Sequence, residues 1–501
     1  MHGALSIPDI LFEIAVQLQD NNHALNAFAR TCKLFEEPGL DALWREQDTI
    51  LNLLGCFPPD LFKADQEGLV MKVLRPIRPD DFLRVDYYAH RVRRFVYTKV
   101  AKTVDPEHAL LVLHSYDRGY LFPSLRALEW RRHGRDTYYP IELFLAPSVS
   151  SLSFYGVDIR WLPRIPRVIR HPEAITRLCI YMLLDLEEPS MISEIVRALP
   201  NLRSLEVPVL GAAELYALSQ NPNLEELLLE SVHVGLPSFP PNAFCGLRRL
   251  YLEGMAVNHV QAICAAWNLS NVQLLQITTC DTFYEEECEK IVDALLERCN
   301  PTQLTELWLT TKHPGSLSYW VSDNAYSATF QKVSAFSKLT LLCIVAPNGF
   351  QVVDADIAVL ANALPALSFL YLTGNGTSTG LDPLLTLLSL QHLAEHCPLL
   401  EGLEIDFDAR TVPGPSASAR RIEQRVMDVL WVGESPLDEP AAVARFISGV
   451  FPKTAIAGNR DDEDEMSEEW ERVDELLAHF VAAREEERRW AQAAVTSFSK
   501  K

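Results

Sequence analysis

Asn223-Leu224-Glu225-Glu226-Leu227-Leu228-Leu229 and Gly246-Leu247-Arg248-Arg249-Leu250-Tyr251-Leu252 share one spacing, apolar-x-x-apolar-x-apolar. The same hexad recurs to either side. Upstream it is carried by Leu125/Leu128/Trp130, Val149/Leu152/Phe154, Ile175/Leu178/Ile180 and Leu202/Leu205/Val207. Downstream it is carried by Val272/Leu275/Ile277, Leu304/Leu307/Leu309, Leu339/Leu342/Ile344, Leu367/Leu370/Leu372, Leu400/Leu403/Ile405 and Met427/Leu430/Val432. A single copy can arise in any buried strand, but twelve at intervals of 22 to 35 residues mark a repeat.

Alternation inside each hexad predicts a short strand whose apolar side chains point one way. Between hexads the spacing turns helical, as in Ile192 to Leu199, Val260 to Trp267, Tyr284 to Cys299, Ile357 to Leu364 and Leu388 to Cys397. One strand and one helix cannot bury an apolar face alone; stacked copies share a continuous core. The pattern resembles the leucine-rich repeat, with Cys280 and Asn375 at the family's polar turn position. The resemblance implies an α/β solenoid, a horseshoe with a parallel sheet lining it, over residues 121–435.

At 501 residues, 48% hydrophobic and 22% charged, the chain has enough apolar surface for an extended core. Its net charge of −22 speaks against a general binder of nucleic acid or anionic membrane. The charge is uneven: Asp461 to Glu475 holds ten acidic residues and one arginine, whereas Lys72 to Lys99 holds eight basic and three acidic ones. No secretory leader or membrane span is read, and the ten cysteines lie singly without Cys-x-x-Cys spacing. Reduced thiols in cytoplasm or nucleus are expected, with no metal site and no cofactor.

The N-terminal 50 residues read as three short helices. Pro8 suits a first turn, where a missing N–H loses nothing, and Leu11, Ile14, Ala15 and Leu18 fall on one apolar face. Leu25, Phe28, Ala29 and Cys32 mark a second helix, and Leu40, Leu43 and Trp44 a third, after a break at Pro38-Gly39. So small a helical unit is expected to lend apolar surface to a partner. Ile7-Pro8, Leu11/Ile14/Leu18, Thr31-Cys32-Lys33-Leu34-Phe35 and Leu43-Trp44-Arg45 resemble, in this order, the motifs of an F-box. Ile7, Thr31 and Phe35 depart from the family's Leu, Val and Trp. Together with the repeats, the chain is similar to the F-box leucine-rich-repeat proteins. That resemblance implies a substrate receptor whose head docks on a Skp-type adaptor, and through it a cullin, while the repeats select a protein target. Pro8, Leu11, Ile14, Leu18, Leu25 and Leu43 are the expected adaptor contacts, supported by Trp44. The alternative is a ligase-independent protein-binding scaffold capped by its head.

Residues 51–120 read as a connection and N-terminal cap, in which Tyr88, Val92, Phe95 and Val96 pack while Arg91, Arg93 and Arg94 stay solvated. Arg131, Arg132, Arg135, Arg164, Arg167 and Arg170 can extend a basic patch toward an acidic partner. Gly374 to Gly380 lacks the Gly-Lys-Ser/Thr ending of a phosphate loop, and no nucleophile elbow or His-Glu-x-x-His occurs, so no enzymatic activity is expected. Residues 436–501 read as a C-terminal cap. It has one helix at Ala441 to Val450 and another bearing Trp470, Val473, Leu477, Phe480, Val481 and Arg484 on one face; the acidic run Asp461 to Glu465 is expected to be dispensable for folding.

The residue between the last two apolar positions of each hexad must face away from the core. Four of these are large aromatics, Tyr251, Trp308, Tyr371 and Trp431. They are the expected target contacts on the concave strand face, since Tyr and Trp dominate protein interfaces. A competing arrangement has the C-terminal helix or the Pro413 loop folding over Trp431 and Tyr371.

Overall fold

A computed structural model describes residues 7–19, 21–64, 71–98, 119–131, 141–156, 164–181, 190–233, 236–281, 285–311, 326–346, 350–374, 383–414, 422–433, 435–458 and 466–498. The chain forms two compact units, Met1–Leu215 and Tyr216–Lys501. Both are built as a leucine-rich-repeat solenoid: parallel strands, one per repeat and in chain order, connected by helices or short turns. The N-terminal helices, the connecting region and the first repeats all belong to the first unit.

Every apolar position of the twelve hexads is 3% exposed or less. The strand register makes these residues line up: Leu307 sits beside Leu275 and Leu342, and Leu309 beside Ile277 and Ile344. Just before each strand a carbonyl of one layer accepts from consecutive backbone N–H groups of the next, and the shorter of these bonds forms a ladder. In the first unit the N–H groups of Arg93, Arg126, Ser150, Thr176 and Arg203 donate to the carbonyls of Arg45, Arg93, Arg126, Ser150 and Thr176, at 2.7–2.9 Å. In the second unit the same ladder runs from Glu225 to Ala455. Satisfying the backbone this way lets turns of 22 to 35 residues share one strand spacing.

The array is longer than the twelve hexads. Strand Arg94–Thr98 adds a repeat in which Val92, Phe95 and Tyr97 are buried, and Val96, expected to pack inward, instead lies opposite Glu129 on the outward face. Glu46–Gln47 precedes it and Ala455–Ala457 closes the series. Phe95 packs on Phe122 and Phe144, and Tyr97 stacks on Trp130 at 4.3 Å, so the first unit begins on an aromatic core.

The head consists of α1 (Pro8–Val16), α2 (Asn22–Ala29) and α3 (Lys33–Arg45). The Asn21 side chain caps α2 by accepting the Ala24 N–H at 2.9 Å. Pro38-Gly39, read as a break, lies inside α3. Its physical reason is contact: a Cβ on Gly39 would stand 2.7 Å from that of Ala29, so only glycine lets α2 and α3 approach this closely.

At the other end, helix Glu468–Phe498 lies on helix Pro440–Val450 and buries Trp470, Val473 and Leu477. The Trp470 indole donates to the Ser435 carbonyl at 2.7 Å, and Arg484 donates to the Arg445 carbonyl at 2.8 Å. Asp461 to Glu465, Asn375 to Gly380, Arg132 and Arg135 lie outside the described residues. Among the described residues no helix is long and apolar enough to cross a membrane.

Candidate protein-binding surfaces

The head presents two apolar faces on α1. Leu11 and Ala15, on one, are wholly buried; Ala15 clusters with Leu25 and Ala42, and Leu18, Phe28 and Leu43 pack against that cluster. The other runs along Ile7, Ile10 and Ile14. Ile7 and Ile10 are 45% and 37% exposed, Pro8 beside them is exposed, and Ile10 and Ile14 line a shallow depression with Asp9, Glu13 and Gln17. Of the six expected adaptor contacts, then, Leu11 and Leu25 are core residues with no surface to offer. Pro8 is exposed; Ile14, Leu18 and Leu43 are half-buried. Ile10 was missed. Helical spacing marks both faces of α1 as apolar, and nothing local says which one turns toward α2 and α3.

The head is held through α3. Arg91, nearly fully buried, donates to Glu37 at 2.6 Å and to Asp41, while the Tyr87 hydroxyl donates to Glu37 at 3.0 Å. Trp44 stacks on Tyr88 at 4.6 Å, an internal contact. The Arg91 hydrogen bond, aided by that from Tyr87, holds the Glu37 carboxyl below its ordinary pKa. Nearby, Arg75 bridges Asp60 and Asp81 at 2.7 Å each, and with the Arg78 backbone N–H it takes Asp81 down to about 2.

On the outward strand face of the first unit, Arg94 and Arg131 both pair with Glu129, which is buried between them, and Arg131 lies over the Tyr155 ring at 5.2 Å. Arg177 and Tyr181 extend this basic, aromatic surface. Of the arginines expected to stay solvated, Arg91 is buried against the head, Arg93 donates to the Ser124 carbonyl at 3.1 Å and Arg94 pairs with Glu129, as does Arg131 of the expected basic patch.

In the second unit the four expected aromatics all occupy outward strand positions, but unequally. Trp308, Tyr371 and Trp431 form a row, with ring centroids 6.0 Å and 5.9 Å apart, across the intervening Cys343 and Glu404. Tyr371 is 7% exposed, flanked by both tryptophans and by Phe369 at 6.1 Å; Trp308 and Trp431 are half-buried. Gly402 makes the closure possible, because a Cβ there would meet Phe369 at 2.8 Å and Trp431 at 3.3 Å. Tyr371 is thus covered by its own aromatic neighbours, and the C-terminal helix spends its tryptophan on Ser435 and Phe407 instead. Tyr251 stands apart, between Leu228 and Gln276.

Carboxylates surround this row. At the outward positions of the second unit stand Glu226, Glu230, Glu253, Glu306, Glu404 and Asp406, against one basic side chain among the described residues, Arg249, which is 3.4 Å from Glu226. Among the described residues no group of His, Cys, Asp and Glu side chains could hold a metal ion.

No protein-family model matches the chain, and no curated protein matches it. Among solved structures it is similar to a chain of the Rad7 and Elc1 complex in yeast, at 13% identity and a TM-score of 0.37, over 92% of this chain and 91% of that one. It is also similar to TLR13 in complex with ssRNA13, at 12% identity and a TM-score of 0.34. There it covers 78% of this chain and spans about half, 54%, of the TLR13 chain.

Proposed function

We propose that the chain is a substrate-recognition subunit of a cullin-based ubiquitin ligase, its head docking on a Skp-type adaptor and its strand face on a protein target. The observation that carries this reading is the apolar stripe at the start of α1, where Ile7, Pro8 and Ile10 are exposed and Ile14 is half-buried. A helical unit that only capped the repeats would turn its apolar surface inward. Here the Arg91, Tyr87 and Trp44 contacts serve for attachment and leave the stripe to another molecule. Burying each isoleucine against a partner contributes about 1.5 to 3 kcal/mol. The sequence resemblance to an F-box names the partner class, a Skp-type adaptor. The repeats supply recognition without chemistry of their own.

A second reading, the ligase-independent scaffold, draws on the Arg45 carbonyl, which accepts from Arg93 as the first rung of the ladder and so makes the head an integral cap. Co-purification of the full chain with a Skp-type adaptor separates the two. The proposal expects a stoichiometric complex; a correctly folded chain that leaves the adaptor unbound supports the scaffold.

A further inference from the structure

We infer that the strand face of the second unit recognises a basic peptide segment, whose lysine or arginine side chains lie against Trp308 and Trp431 and pair with Glu306 and Asp406. The inference deepens the target-binding half of the proposed function and rests on it. Three observations on this one face point to a cationic ligand.

First, the row Trp308, Tyr371, Trp431 is continuous, its rings within 6.0 Å of one another. The two outer rings are only half-buried. Indole offers the best π-face for a guanidinium or ammonium group, and the aliphatic stem of either side chain adds apolar contact. Second, carboxylates stand at neighbouring positions. Glu306 is two residues before Trp308 on one strand, and Asp406 directly follows the strand Gly402–Ile405, which lies between those of Tyr371 and Trp431. A cation seated on a ring therefore meets a carboxylate within the span of one side chain. Third, the face as a whole bears six acidic side chains to one basic one among the described residues. An acidic ligand would be repelled and a basic one steered in. The first unit, with Arg94, Arg131 and Arg177 beside Glu46, Glu129 and Glu206 at its outward strand positions, has no such acidic excess.

The test is a fluorescence-anisotropy titration of the full chain with labelled Lys/Arg-rich and Glu-rich peptides of equal length. The basic peptide is expected to bind and the acidic one not. Trp308→Ala with Trp431→Ala should weaken binding about tenfold, the scale of two cation–π contacts. Glu306→Gln with Asp406→Asn, which change little in shape, should weaken it several-fold and flatten its salt dependence. Neutralising Asp461 to Glu465 should leave it unchanged. The inference is overturned if the basic peptide fails to bind, if the acidic peptide binds better, or if only tail neutralisation matters, which would make the binding a nonspecific effect of net charge. Adaptor co-purification is measured alongside: an unaltered chain that keeps the adaptor but shows no preference for the basic peptide rejects this inference alone, whereas an unaltered chain that leaves the adaptor unbound rejects the ligase reading.

Discussion

The first helix and the last both carry an apolar stripe, and they use it in opposite ways. Helix Glu468–Phe498 turns Trp470, Val473 and Leu477 onto helix Pro440–Val450 and strand Ala455–Ala457, burying all three. Helix α1 has two stripes, buries Leu11 and Ala15, and leaves Ile7 and Ile10 in solvent. A terminal repeat needs a cover, and one stripe is enough to provide it. The second stripe on α1 is surplus to capping, and surplus apolar surface on a small helical unit is where a partner is expected.

The comparison is broken most forcefully at the C-terminal end. Trp470→Ala removes a buried indole and its hydrogen bond to Ser435, and should cost about 3 to 5 kcal/mol. The urea midpoint of the unfolding phase that includes the second unit should fall; an unchanged midpoint would deny that this helix is a structural cap. A smaller effect is expected in the head from Gly39→Ala. Alanine gains up to about 1 kcal/mol in helix propensity, whereas forcing a Cβ to within 2.7 Å of Ala29 costs about 1 to 3 kcal/mol in overpacking. Net destabilisation is the expected outcome in a thermal melt, and stabilisation would mean that α2 and α3 are less closely apposed.

The smallest effect concerns pH. Glu37 and Asp81 are held below their ordinary values by Arg91 and Arg75, so their contribution to stability is present above unfolded values near pH ~4. It is lost as pH falls through the folded values, toward about 2 for Asp81. Glu37 is largely exposed, and Glu37→Gln should lower stability at neutral pH by less than about 1 kcal/mol. Melting temperatures of the two chains should converge as pH falls below the unfolded carboxylate value near ~4 and through the lowered folded value of Glu37. Parallel curves would show that the Arg91 contact does not select the carboxylate.

What was legible in the sequence follows from the range of the interactions. The hexads were readable because a period of two and a leucine core are local properties, and all twelve strands occur where the spacing puts them. The preceding repeat escaped because Val92, Phe95 and Tyr97 replace leucine with aromatics amid arginines that suggest a surface. Pro38-Gly39 was misplaced because its glycine answers to Ala29, ten residues away in sequence but touching in space. The same reason hid the orientation of α1. Alternation along a strand placed Tyr371 outward, but only its neighbours' rings, closing over Gly402, determine how little of it meets solvent.

The surplus stripe on α1 is the centre of the account, and one titration addresses it directly: the affinity of a purified Skp-type adaptor for the full chain and for Ile10→Asp with Ile14→Asp. Neither isoleucine belongs to the Ala15, Leu25 and Ala42 cluster, so the head should stay folded, as circular dichroism can verify. The account predicts adaptor binding by the unaltered chain and a loss of at least about 3 kcal/mol, two buried isoleucines, in the variant. Equal affinity for both chains, or none for either, would contradict it.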